Sequence, residues 1–581
     1  MCTRDMNDSA REIWSQLRLE DTLCDVVLKV DGVQFRAHKI ILSACSEYFR
    51  VLMTSIHWTC SEQREYTILD VSPDIMELII EYAYSHKTGI TSKNMVDLLI
   101  AADKLDIQGL KSLCCSFLEK QLCPENCISI LGFSELYSCH DLYQKAYSYT
   151  LLHFEEVIRE PVENFLELTQ SQLSDILDNN KLSVKQEERV FEAVMMWIDH
   201  APQLRSKYIP VLLQKVRMGL MNPNYFLEFV MKDPLVCSNQ ECQPIVTRVL
   251  GTLLSICRNG PTDSFSQDPL SRPRTPSSCL FALSGWNSSF INAVECYNSN
   301  VDCWTPLSWV DIDEIPRGYY GTAVLDGHLY VLGGSNDGVY FNTVKKLNPL
   351  TQTWQQVGHM QLPRCFVTVA VLDGLIYAMG GHNGRERISS VERYDPKTNQ
   401  WSLISSMQVV RSDASATALN RKIYICGGYN GRECLFTAEC FDPLTNRWSF
   451  ISRMQSSRSG LGVAALKNLV FAVGGCDGFR RLNSVESYNP DFDQWSIVTP
   501  MFERRSNFGI EVLNDRLFVV GGFNGVSATA SAECYDAVTK EWYCVQDMVL
   551  GRSALKCSVL RGMQNIAEYS VQREVWLREM S

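Results

Sequence analysis

The second half of the chain repeats one pattern, in which a short apolar run ends at a pair of glycines. The runs YVLGG, YAMGG, YICGG, FAVGG and FVVGG end 47 residues apart, at Gly334, Gly381, Gly428, Gly475 and Gly522. A tryptophan follows each pair twenty residues later, and FALSGW with Trp304 is a degenerate first copy, which makes six copies. Each copy divides into four apolar segments separated by turn-forming Asn, Asp, Gly and Pro, which predicts four β-strands per copy. Four strands in a repeat of this length are typical of one blade of a β-propeller.

The phase of the repeats predicts how the array closes. The first copy begins at its second strand, CLFALSG, whereas the last copy is followed by RSALKCSVL at 552–560, which matches a first strand. The C-terminal strand is therefore expected to complete the first blade and to close the ring, which would leave no sheet edge exposed. The tryptophans and the aromatic residues Tyr394, Phe441, Tyr488 and Tyr535 are expected to fill the space between blades, with Leu347 at this position in the second copy.

One repeated position combines strict identity with a charge. An arginine precedes the first strand of every copy, at Arg317, Arg364, Arg411, Arg458, Arg505 and Arg552. Guanidinium groups suit bidentate capture of carboxylates, so an arginine rim would bind an acidic segment of a protein substrate. Charge reversal at Arg364 and Arg411 together would then abolish target binding and leave the fold intact. The alternative is structural, with the arginines paired inside their blades to Glu392, Glu439, Glu486 and Glu533, and the sequence leaves both interpretations open.

At a second repeated position the spacing to the glycine pair is constant, but the residue type changes from copy to copy. The residue after each glycine pair is Trp286, Ser335, His382, Tyr429, Cys476 or Phe523. A site whose chemistry changes while its scaffold repeats is typical of recognition, and aromatic residues there are good anchors for a partner. These residues are therefore candidates for substrate binding on the same rim.

The first half of the chain mixes strand and helix patterns. Two alternating runs flank Asp31-Gly32, which predicts a hairpin, and runs such as SPDIMELIIEYAYS and NMVDLLIAADKL have helical periodicity. Ahead of them, SAREIWSQLR places Ile13, Trp14 and Leu17 on one face of a short helix, which predicts a partner surface. Residues 123–258 are predicted to be all helical, residues 259–278 form a Pro- and Ser-rich linker, and residues 563–581 remain an unassigned tail.

Composition argues against several classes of protein. The net charge of −12 argues against nucleic-acid binding. With nine histidines and no C-x-x-C pair among 23 cysteines, a metal site is not expected. The absence of a secretory signal and of a spanning apolar stretch predicts a cytoplasmic protein without membrane contact. No P-loop, H-E-x-x-H or G-x-S-x-G motif occurs, so neither an enzyme nor a cofactor is expected. His328, His359 and His382 occupy different repeat positions, which argues against a copper-radical propeller enzyme.

These motifs resemble known domains. The glycine pairs, tyrosines and tryptophans resemble kelch repeats over 279–562. LCDVVLKV, FRAHKIILSACSEYF and AADKL resemble a BTB (POZ) domain within 1–122, and VFEAVMMWIDH and LLQKVRMGLM resemble a BACK domain within 123–258. The chain is thus similar to the kelch-like family. The resemblance implies an α/β BTB domain, an all-α BACK domain and an all-β, six-bladed kelch propeller closed by the C-terminal strand, with the arginine turns and the loops after the glycines at one substrate-facing rim.

The resemblance also implies a function. Kelch-like proteins are non-catalytic substrate adaptors of Cullin-3 RING E3 ubiquitin ligases, in which the BTB and BACK part binds the cullin and the propeller binds the target. It implies a homodimer through the BTB domain, with Ile13, Trp14 and Leu17 at the dimer interface. Met53, Trp58 and Glu62 are the candidate cullin contacts, and Cys60 stands where the family motif has glutamate.

Two further points concern the choice within this family. An actin-associated kelch scaffold without ligase function is the alternative to the adaptor. Segments 411–439 and 505–525 are similar to a family member associated with male germ cells.

Overall fold

The computed structural model describes residues 6–54, 64–159, 163–259, 268–272, 274–276, 278–307 and 316–563. The chain divides into two compact units, the first comprising Met1–Ile176 and Met195–Arg205 and the second Leu177–Val194 and Ser206–Ser581. Among the helices in these described ranges, none has the length and apolar character needed to cross a membrane.

The first unit begins with an α/β region. Strands β1 (Val26–Val30) and β2 (Val33–Ala37) form the predicted hairpin, and β3 (Glu65–Thr67) pairs with β1 in parallel. The hairpin turn at Asp31 and Gly32 has positive φ at both residues, as a tight two-residue turn requires. Alternate residues of β1 are buried against the surrounding helices, which explains the period-two pattern.

The other regular elements that the structure describes as far as residue 259 are helices. In chain order they are α1 (Met6–Leu19), α2 (Lys39–Cys45), α3 (Glu47–Thr54), α4 (Pro73–Ser85), α5 (Met95–Lys104), α6 (Gln108–Lys120), α7 (Cys127–Leu136), α8 (His140–Leu152), α9 (Phe154–Val157), α10 (Glu163–Leu166), α11 (Gln170–Asp178), α12 (Glu187–Asp199), α13 (Pro202–Arg205), α14 (Ile209–Leu213), α15 (Pro223–Tyr225), α16 (Pro234–Ser238) and α17 (Cys242–Asn259). A π-helical turn, Phe226–Val230, follows α15. Every regular element that the structure describes between residues 127 and 259 is helical, as the periodicity predicted.

Part of the segment predicted as a linker is packed against helical residues of the second unit. The guanidinium of Arg274 donates to both carboxylate oxygens of Glu187, at 2.5 and 3.2 Å, and to the carbonyls of Leu177 and Asn179. Arg274 and Glu187 are both buried. A buried ion pair with further hydrogen bonds fixes the backbone around Arg274, so these residues do not behave as a free spacer.

Six four-stranded antiparallel sheets lie in the part of the repeat region that the structure describes, 278–307 and 316–563. The first sheet consists of β4 (Ser278–Asn287), β5 (Ser289–Asn298), β6 (Cys303–Leu307) and a strand from the end of the repeats, β29 (Lys556–Arg561). The second consists of β7 (Gly321–Leu325), β8 (His328–Leu332), β11 (Val344–Asn348) and β12 (Thr353–Val357), with a small hairpin of β9 (Ser335–Asn336) and β10 (Val339–Tyr340). The third sheet contains β13 (Thr368–Leu372), β14 (Leu375–Met379), β15 (Val391–Asp395) and β16 (Gln400–Ile404), and the fourth contains β17 (Ser415–Leu419), β18 (Lys422–Cys426), β19 (Ala438–Asp442) and β20 (Arg447–Ile451). The fifth sheet contains β21 (Gly462–Leu466), β22 (Leu469–Val473), β23 (Val485–Asn489) and β24 (Gln494–Val498). The sixth contains β25 (Gly509–Leu513), β26 (Arg516–Val520), β27 (Ala532–Asp536) and β28 (Glu541–Val545). The last strand is β29 (Lys556–Arg561), which pairs antiparallel with β4.

The repeated residues join each sheet to the next. The indole N–H of Trp401 in the third sheet donates to the carbonyl of Gly358 in the second, at 2.8 Å, and Trp448, Trp495 and Trp542 repeat this bond to the sheet before them. Tyr394 packs against Tyr330 of the neighbouring sheet, with ring centroids 6.1 Å apart. The prediction that the aromatic positions fill the space between repeats is therefore confirmed.

The glycine pairs also lie at the junctions between sheets. The N–H of Gly381 donates to the carbonyl of Arg411 in the next sheet at 2.8 Å, and a Cβ on Gly380 would collide with the same carbonyl. Both glycines have positive φ. The pair is required because the backbone turns through a left-handed conformation and passes close to the next sheet.

The first strands of the six sheets line one cavity of about 590 Å³. These strands are β7, β13, β17, β21, β25 and β29, and neighbours in this order are in contact. Small and apolar residues dominate the lining, because bulky side chains would fill the space where six strand edges converge.

Candidate functional site

The repeated arginines are buried within their own sheets. In the third sheet, Arg364 donates from Nε and Nη2 to Glu392 Oε1 at 3.1 and 3.0 Å, and from Nη1 to the carbonyls of Gly380 and Ser390 at 2.8 and 2.9 Å. Its remaining N–H bonds to the Ser390 hydroxyl at 3.0 Å. All five guanidinium N–H groups are thus used inside the protein.

The ion pair of an arginine with a glutamate recurs in four other described sheets. The ion pairs are Arg411–Glu439, Arg458–Glu486, Arg505–Glu533 and Arg552–Glu295, and all six arginine residues are 5% exposed or less. The prediction that Arg317, Arg364, Arg411, Arg458, Arg505 and Arg552 bind substrate is therefore wrong, because their side chains are buried inside the protein. The structural alternative is correct, and the pairing partner in the first sheet is Glu295.

The second sheet departs from this pattern. Lys345 occupies the place that glutamate holds in the other sheets, and Arg317 donates instead to the Gly333 carbonyl at 3.0 Å and to Thr343 Oγ1 at 3.1 Å. Its guanidinium also lies over the ring of Phe341, 4.6 Å from the centroid. Arg317 is nevertheless buried like the others, so the position is used for structure even without the glutamate.

The variable residues lie beside the buried arginines and are accessible. Each one pairs through two backbone hydrogen bonds with the residue that follows an arginine: Trp286 with Ser553, Ser335 with Gly318, His382 with Cys365, Tyr429 with Ser412, Cys476 with Ser459, and Phe523 with Ser506. Trp286 is 38% exposed and the other five are half-buried. We call the surface formed by these six residues, and by the residues that follow them five positions later, the rim.

Sequence reasoning missed the second half of the rim. The residue five positions after the variable one reaches the variable residue of the next sheet: Tyr340 contacts His382 with ring centroids 5.5 Å apart, Arg387 lies 4.6 Å from the Tyr429 ring, and Arg481 lies 5.1 Å from the Phe523 ring. The signal was present, because positions 340, 387, 434 and 481 are also 47 apart. Their identities vary, so only the fold shows that they meet a neighbour.

Two of these residues are arginines held in a fixed orientation. Arg387 Nε donates to the Ser412 hydroxyl at 2.9 Å while its plane lies on Tyr429. Arg481 Nε donates to the Ser506 hydroxyl at 3.1 Å, and its Nη1 lies 3.4 Å from the Cys476 sulfur. In the described structure the Nη groups of Arg387 have no hydrogen-bond partner, so this guanidinium can bind a carboxylate with its orientation already fixed.

A series of five backbone hydrogen bonds beside the rim joins one residue of each described sheet to one of the next. The residues two positions after the arginines, which we call the axial ring, are Tyr319, Phe366, Asp413, Gly460, Asn507 and Ala554. All six have positive φ, and each N–H from Phe366 to Ala554 donates to the carbonyl of the preceding member, at 2.7 to 3.3 Å. The Tyr319 and Phe366 rings lie 4.1 Å apart, and the Asn507 amide donates to Asp413 Oδ1 at 3.3 Å.

The electrostatics of the rim and the axial ring follow from burial. Burial raises the pKa of Asp413 to about 6, although Lys556, Arg387 and the Asn507 amide act in the opposite direction. Burial, and then the charge of Arg387, lower the pKa of His382, so its imidazole is neutral at pH 7. No group of three or more His, Cys, Asp or Glu side chains in the described ranges could hold a metal ion.

The predicted contacts in the first unit are only partly described. On α1, Ile13 is 57% and Trp14 42% exposed, whereas Leu17 is half-buried. Met53 on α3 is half-buried, and its sulfur accepts from the Ser43 hydroxyl at 3.8 Å. Trp58 and Glu62 lie outside the described residues. The exposed pair on α1 leaves an apolar face that a partner can cover.

Comparison with protein-family models places three kinds of domain along the chain. The BTB/POZ domain matches residues 14–122, and the BACK ("BTB And C-terminal Kelch") domain matches residues 127–231. The KLHDC2/KLHL20/DRC7 Kelch-repeats domain matches residues 277–457 and 363–522, and the Kelch motif matches residues 504–549. The chain therefore contains matches to BTB/POZ, BACK and kelch domains, in that order.

Curated relatives agree with this assignment. The chain is 34% identical over 334 residues to Kelch-like protein 3 of Bos taurus, of Homo sapiens and of Pongo abelii. The matched residues are 56% of this chain and 55% of each relative, so the match spans about half the length of these proteins.

Proposed function

We propose that this protein is a substrate adaptor of a Cullin-3 RING E3 ubiquitin ligase and acts in the cytoplasm. In this role the BTB and BACK part binds the cullin, the kelch region binds the target, and a recruited E2 enzyme performs the transfer. The observation that carries the proposal is the pairing of a domain for association with a rim of accessible, variable side chains on a uniform frame.

We infer that the kelch region is a closed propeller of six blades. Two observations support closure: β29, from the end of the chain, pairs with β4, from the start of the repeats, and the first strands of all six sheets line one cavity. A closed ring has no free sheet edge, so its loops are held rigidly enough to act as one binding surface.

The proposed target carries an acidic segment. Arg387 and Arg481 support this assignment, since both are oriented by a serine and an aromatic ring of the next sheet. Trp286, Tyr429 and Phe523 would supply the apolar anchors, and Ser335 and His382 neutral hydrogen-bonding groups. Such a mixture of aromatic and arginine side chains is typical of residues that dominate protein–protein binding.

The proposed adaptor is a homodimer through its BTB domain. Ile13 and Trp14 on α1 are exposed in the single chain, and an apolar helix face of this kind is stabilised when a second copy covers it. Trp14→Glu should therefore convert a dimer into a monomer in light-scattering measurements of the full chain, and a dimer that persists in a folded Trp14→Glu variant would contradict this interface.

Cullin binding is tested directly with the full chain. The proposed contacts are Met53, Trp58 and Glu62. Calorimetric titration with a purified Cullin-3 N-terminal fragment should give submicromolar binding, and Trp58→Ala should weaken it at least tenfold. Leu444→Ala, at an exposed leucine in the turn between β19 and β20 of the kelch region, is the matched control and should bind like the parent chain.

The opposite result would favour the other candidate. If a folded dimer does not bind the cullin fragment, the adaptor proposal fails, and co-sedimentation with actin filaments would test the scaffold alternative. A role in male germ-cell differentiation is a further part of the proposal. It rests only on the similarity of segments 411–439 and 505–525 to kelch-like protein ten.

A further inference from the structure

Two loop positions on the rim side of the kelch region change their chemistry part-way along the repeats. One is the third residue after each variable residue: Ser289, Gly338, Arg385, Arg432, Phe479 and Val526. The other is the third residue before each repeated arginine: Glu314, Gln361, Gln408, Gln455, Phe502 and Val549. In both series only the last two members are apolar. Because the same loops carry polar residues or glycine in the other copies, the fold does not require these apolar side chains.

The four apolar side chains are accessible to solvent. Phe479 is 97%, Val526 91%, Phe502 65% and Val549 62% exposed. We call these four residues the apolar arc. A single exposed apolar side chain needs no explanation, whereas four on consecutive rim-side loops form a patch. Exposed apolar patches of this kind mark surfaces that bind another molecule.

Hydrogen bonds hold the two middle loops of the apolar arc together. The amide of Asn524 donates to Glu503 Oε1 at 3.0 Å, and its Oδ1 accepts from the Val526 N–H at 2.9 Å. Glu503 follows Phe502 directly in the chain. The loops that carry Phe502 and Val526 are therefore in contact, and their positions are fixed by these bonds.

The two outer loops of the apolar arc adjoin the same surface. A Cβ on Gly525 would lie 3.9 Å from Arg481 Cγ, so the loops of the fifth and sixth sheets are neighbours. A Cβ on Gly551 would lie 3.1 Å from the Ala528 carbonyl oxygen, so the turn before β29 also lies against the loop of the sixth sheet. The apolar arc is therefore one surface, and it is continuous with the rim at Arg481.

The charges beside the apolar arc favour a partner with carboxylates. Arg504 is exposed next to Phe502, and Arg481 belongs to the adjoining rim. The nearby carboxylates are already engaged, since Asp477 accepts from two backbone N–H groups of its own loop and Glu503 accepts from side chains of the sixth sheet. A carboxylate on the partner would therefore be attracted to the end of the arc that contains Phe502.

We propose that the apolar arc binds a segment of the target protein that has at least two bulky apolar residues next to a carboxylate. This inference rests on the proposed function, and it extends the binding surface outwards from the rim. The apolar residues of the segment cover Phe479 and Phe502, and its carboxylate pairs with Arg504. Aromatic anchors beside arginine are typical of the residues that dominate protein–protein affinity.

Selection of peptides from a random library displayed on phage tests this proposal, with the full chain as the bait. The enriched peptides should share at least two bulky apolar residues and an Asp or Glu. Binding of the most enriched peptide is then measured by fluorescence polarisation. Phe479→Ser with Phe502→Ser should raise its dissociation constant at least tenfold. Enrichment of peptides without bulky apolar residues or without carboxylates, or an unchanged dissociation constant in this double variant, would overturn the proposal.

A matched double variant controls for the loss of apolar surface in general. Leu403→Ser with Phe450→Ser removes two exposed apolar side chains from β16 and β20, outside the apolar arc. It should bind the peptide like the parent chain. Equal losses in the two double variants would show that binding does not depend on the apolar arc, and would also overturn the proposal.

Two further measurements separate this inference from its alternatives. If a second copy of the chain covered the apolar arc, Phe479→Ser with Phe502→Ser would lower the molecular mass of the full chain in light scattering; we expect the mass to stay the same. The cullin titration tests the adaptor proposal independently. A chain that binds the cullin fragment but no arc-dependent peptide remains an adaptor and loses this site. A chain that binds the peptide but not the cullin fragment keeps the site and is not an adaptor.

Discussion

Two adjacent layers of the kelch region repeat every 47 residues and behave in opposite ways. The arginine layer keeps one residue type in all six sheets and is buried, and every guanidinium N–H of Arg364 is bonded within the third sheet. The rim beside it keeps the backbone geometry and changes the side chain from sheet to sheet. The arginine is repeated strictly because the six sheets share one backbone geometry and each needs the same buried support. The residues that vary on this shared geometry form the surface that we expect a partner to bind.

The largest difference in stability is expected between a buried and an exposed arginine of the same sheet. Arg411→Met leaves the Glu439 carboxylate buried without its cation, which should cost about 3–5 kcal/mol of stability. Arg432→Met, on the exposed loop between β18 and β19, should stay within about 0.5 kcal/mol of the parent chain. Denaturant unfolding of the full chain measures both, and equal losses would contradict the assignment of the layers. Reversing the charge of Arg364 and Arg411 together should prevent folding.

The axial ring should be the next most sensitive position. Gly460 has φ of +63°, and a Cβ there would lie 2.7 Å from Asn507 Oδ1, so Gly460→Ala should cost about 1–3 kcal/mol. Gly338→Ala, where φ is +82° and the space is open, carries the backbone cost alone. Differential scanning calorimetry should therefore show the larger decrease in Tm for Gly460→Ala, and the reverse order would show that the contact with Asn507 carries no weight.

Asp413 gives the axial ring a dependence on pH. Its pKa of about 6 means that the folded protein holds this proton more tightly than the unfolded chain does. The folded state therefore loses stability as pH rises from about 4 through 6, and this loss is complete above about pH 7. Asp413→Asn removes this loss and should raise the stability at pH 7.5 by about 1–2 kcal/mol, a reduced value because Asp413 is half-buried and solvent screens part of the effect.

The sign of this effect is checked at acid pH. At pH 4.5 the parent carboxyl is already protonated, so Asp413→Asn should change Tm little. Asp337→Asn, on an exposed rim loop, is the control at both pH values. A larger gain for Asp413→Asn at pH 4.5 than at pH 7.5 would reverse the assignment.

The smallest effect on stability is expected for the rim arginines. Arg387→Ala with Arg481→Ala removes two contacts with aromatic rings, which are worth about 0.5–1 kcal/mol each at exposed sites. The same double variant should lose most of the proteins that co-purify with the parent chain, because the oriented guanidinium groups are gone.

A matched double variant separates orientation from charge. Arg385→Ala with Arg480→Ala removes the same number of charges from exposed loop positions of the same two sheets. It should retain the co-purifying proteins. If both double variants retain them, Arg387 and Arg481 do not bind the target.

Much of this arrangement could be read from the order of residues along the chain. The spacing of the glycine pairs and tryptophans predicted four strands per repeat, and the unmatched RSALKCSVL predicted that the last strand would join the first sheet, as β29 does with β4. These predictions succeed because strand periodicity and turn residues are local properties. The Asp31-Gly32 hairpin and the helices up to residue 259 were predictable for the same reason.

Other features depended on neighbours that are distant in sequence. The linker prediction missed the buried pair of Arg274 with Glu187, 87 residues apart, because a Pro- and Ser-rich composition does not reveal a buried partner. The rim pairs, such as Arg387 with Tyr429, join residues of different sheets, so no single repeat contains them. Lys556 is found to line the cavity only when the first strands of the six sheets are brought together by the fold.

The order of residues along the chain was therefore enough to predict the repeat and its strands, since both rest on local periodicity and turn chemistry. The role of the repeated arginines became clear only from their packing in the fold. Their spacing suits an exposed rim and a buried support equally well, because it fixes where each guanidinium occurs along the chain and not which way it turns. The glutamate of the third strand and the carbonyls of the glycine turn bind the guanidinium inside the sheet, so its charge is neutralised there and is not presented to a partner. We therefore expect the variable residues beside it to bind the target.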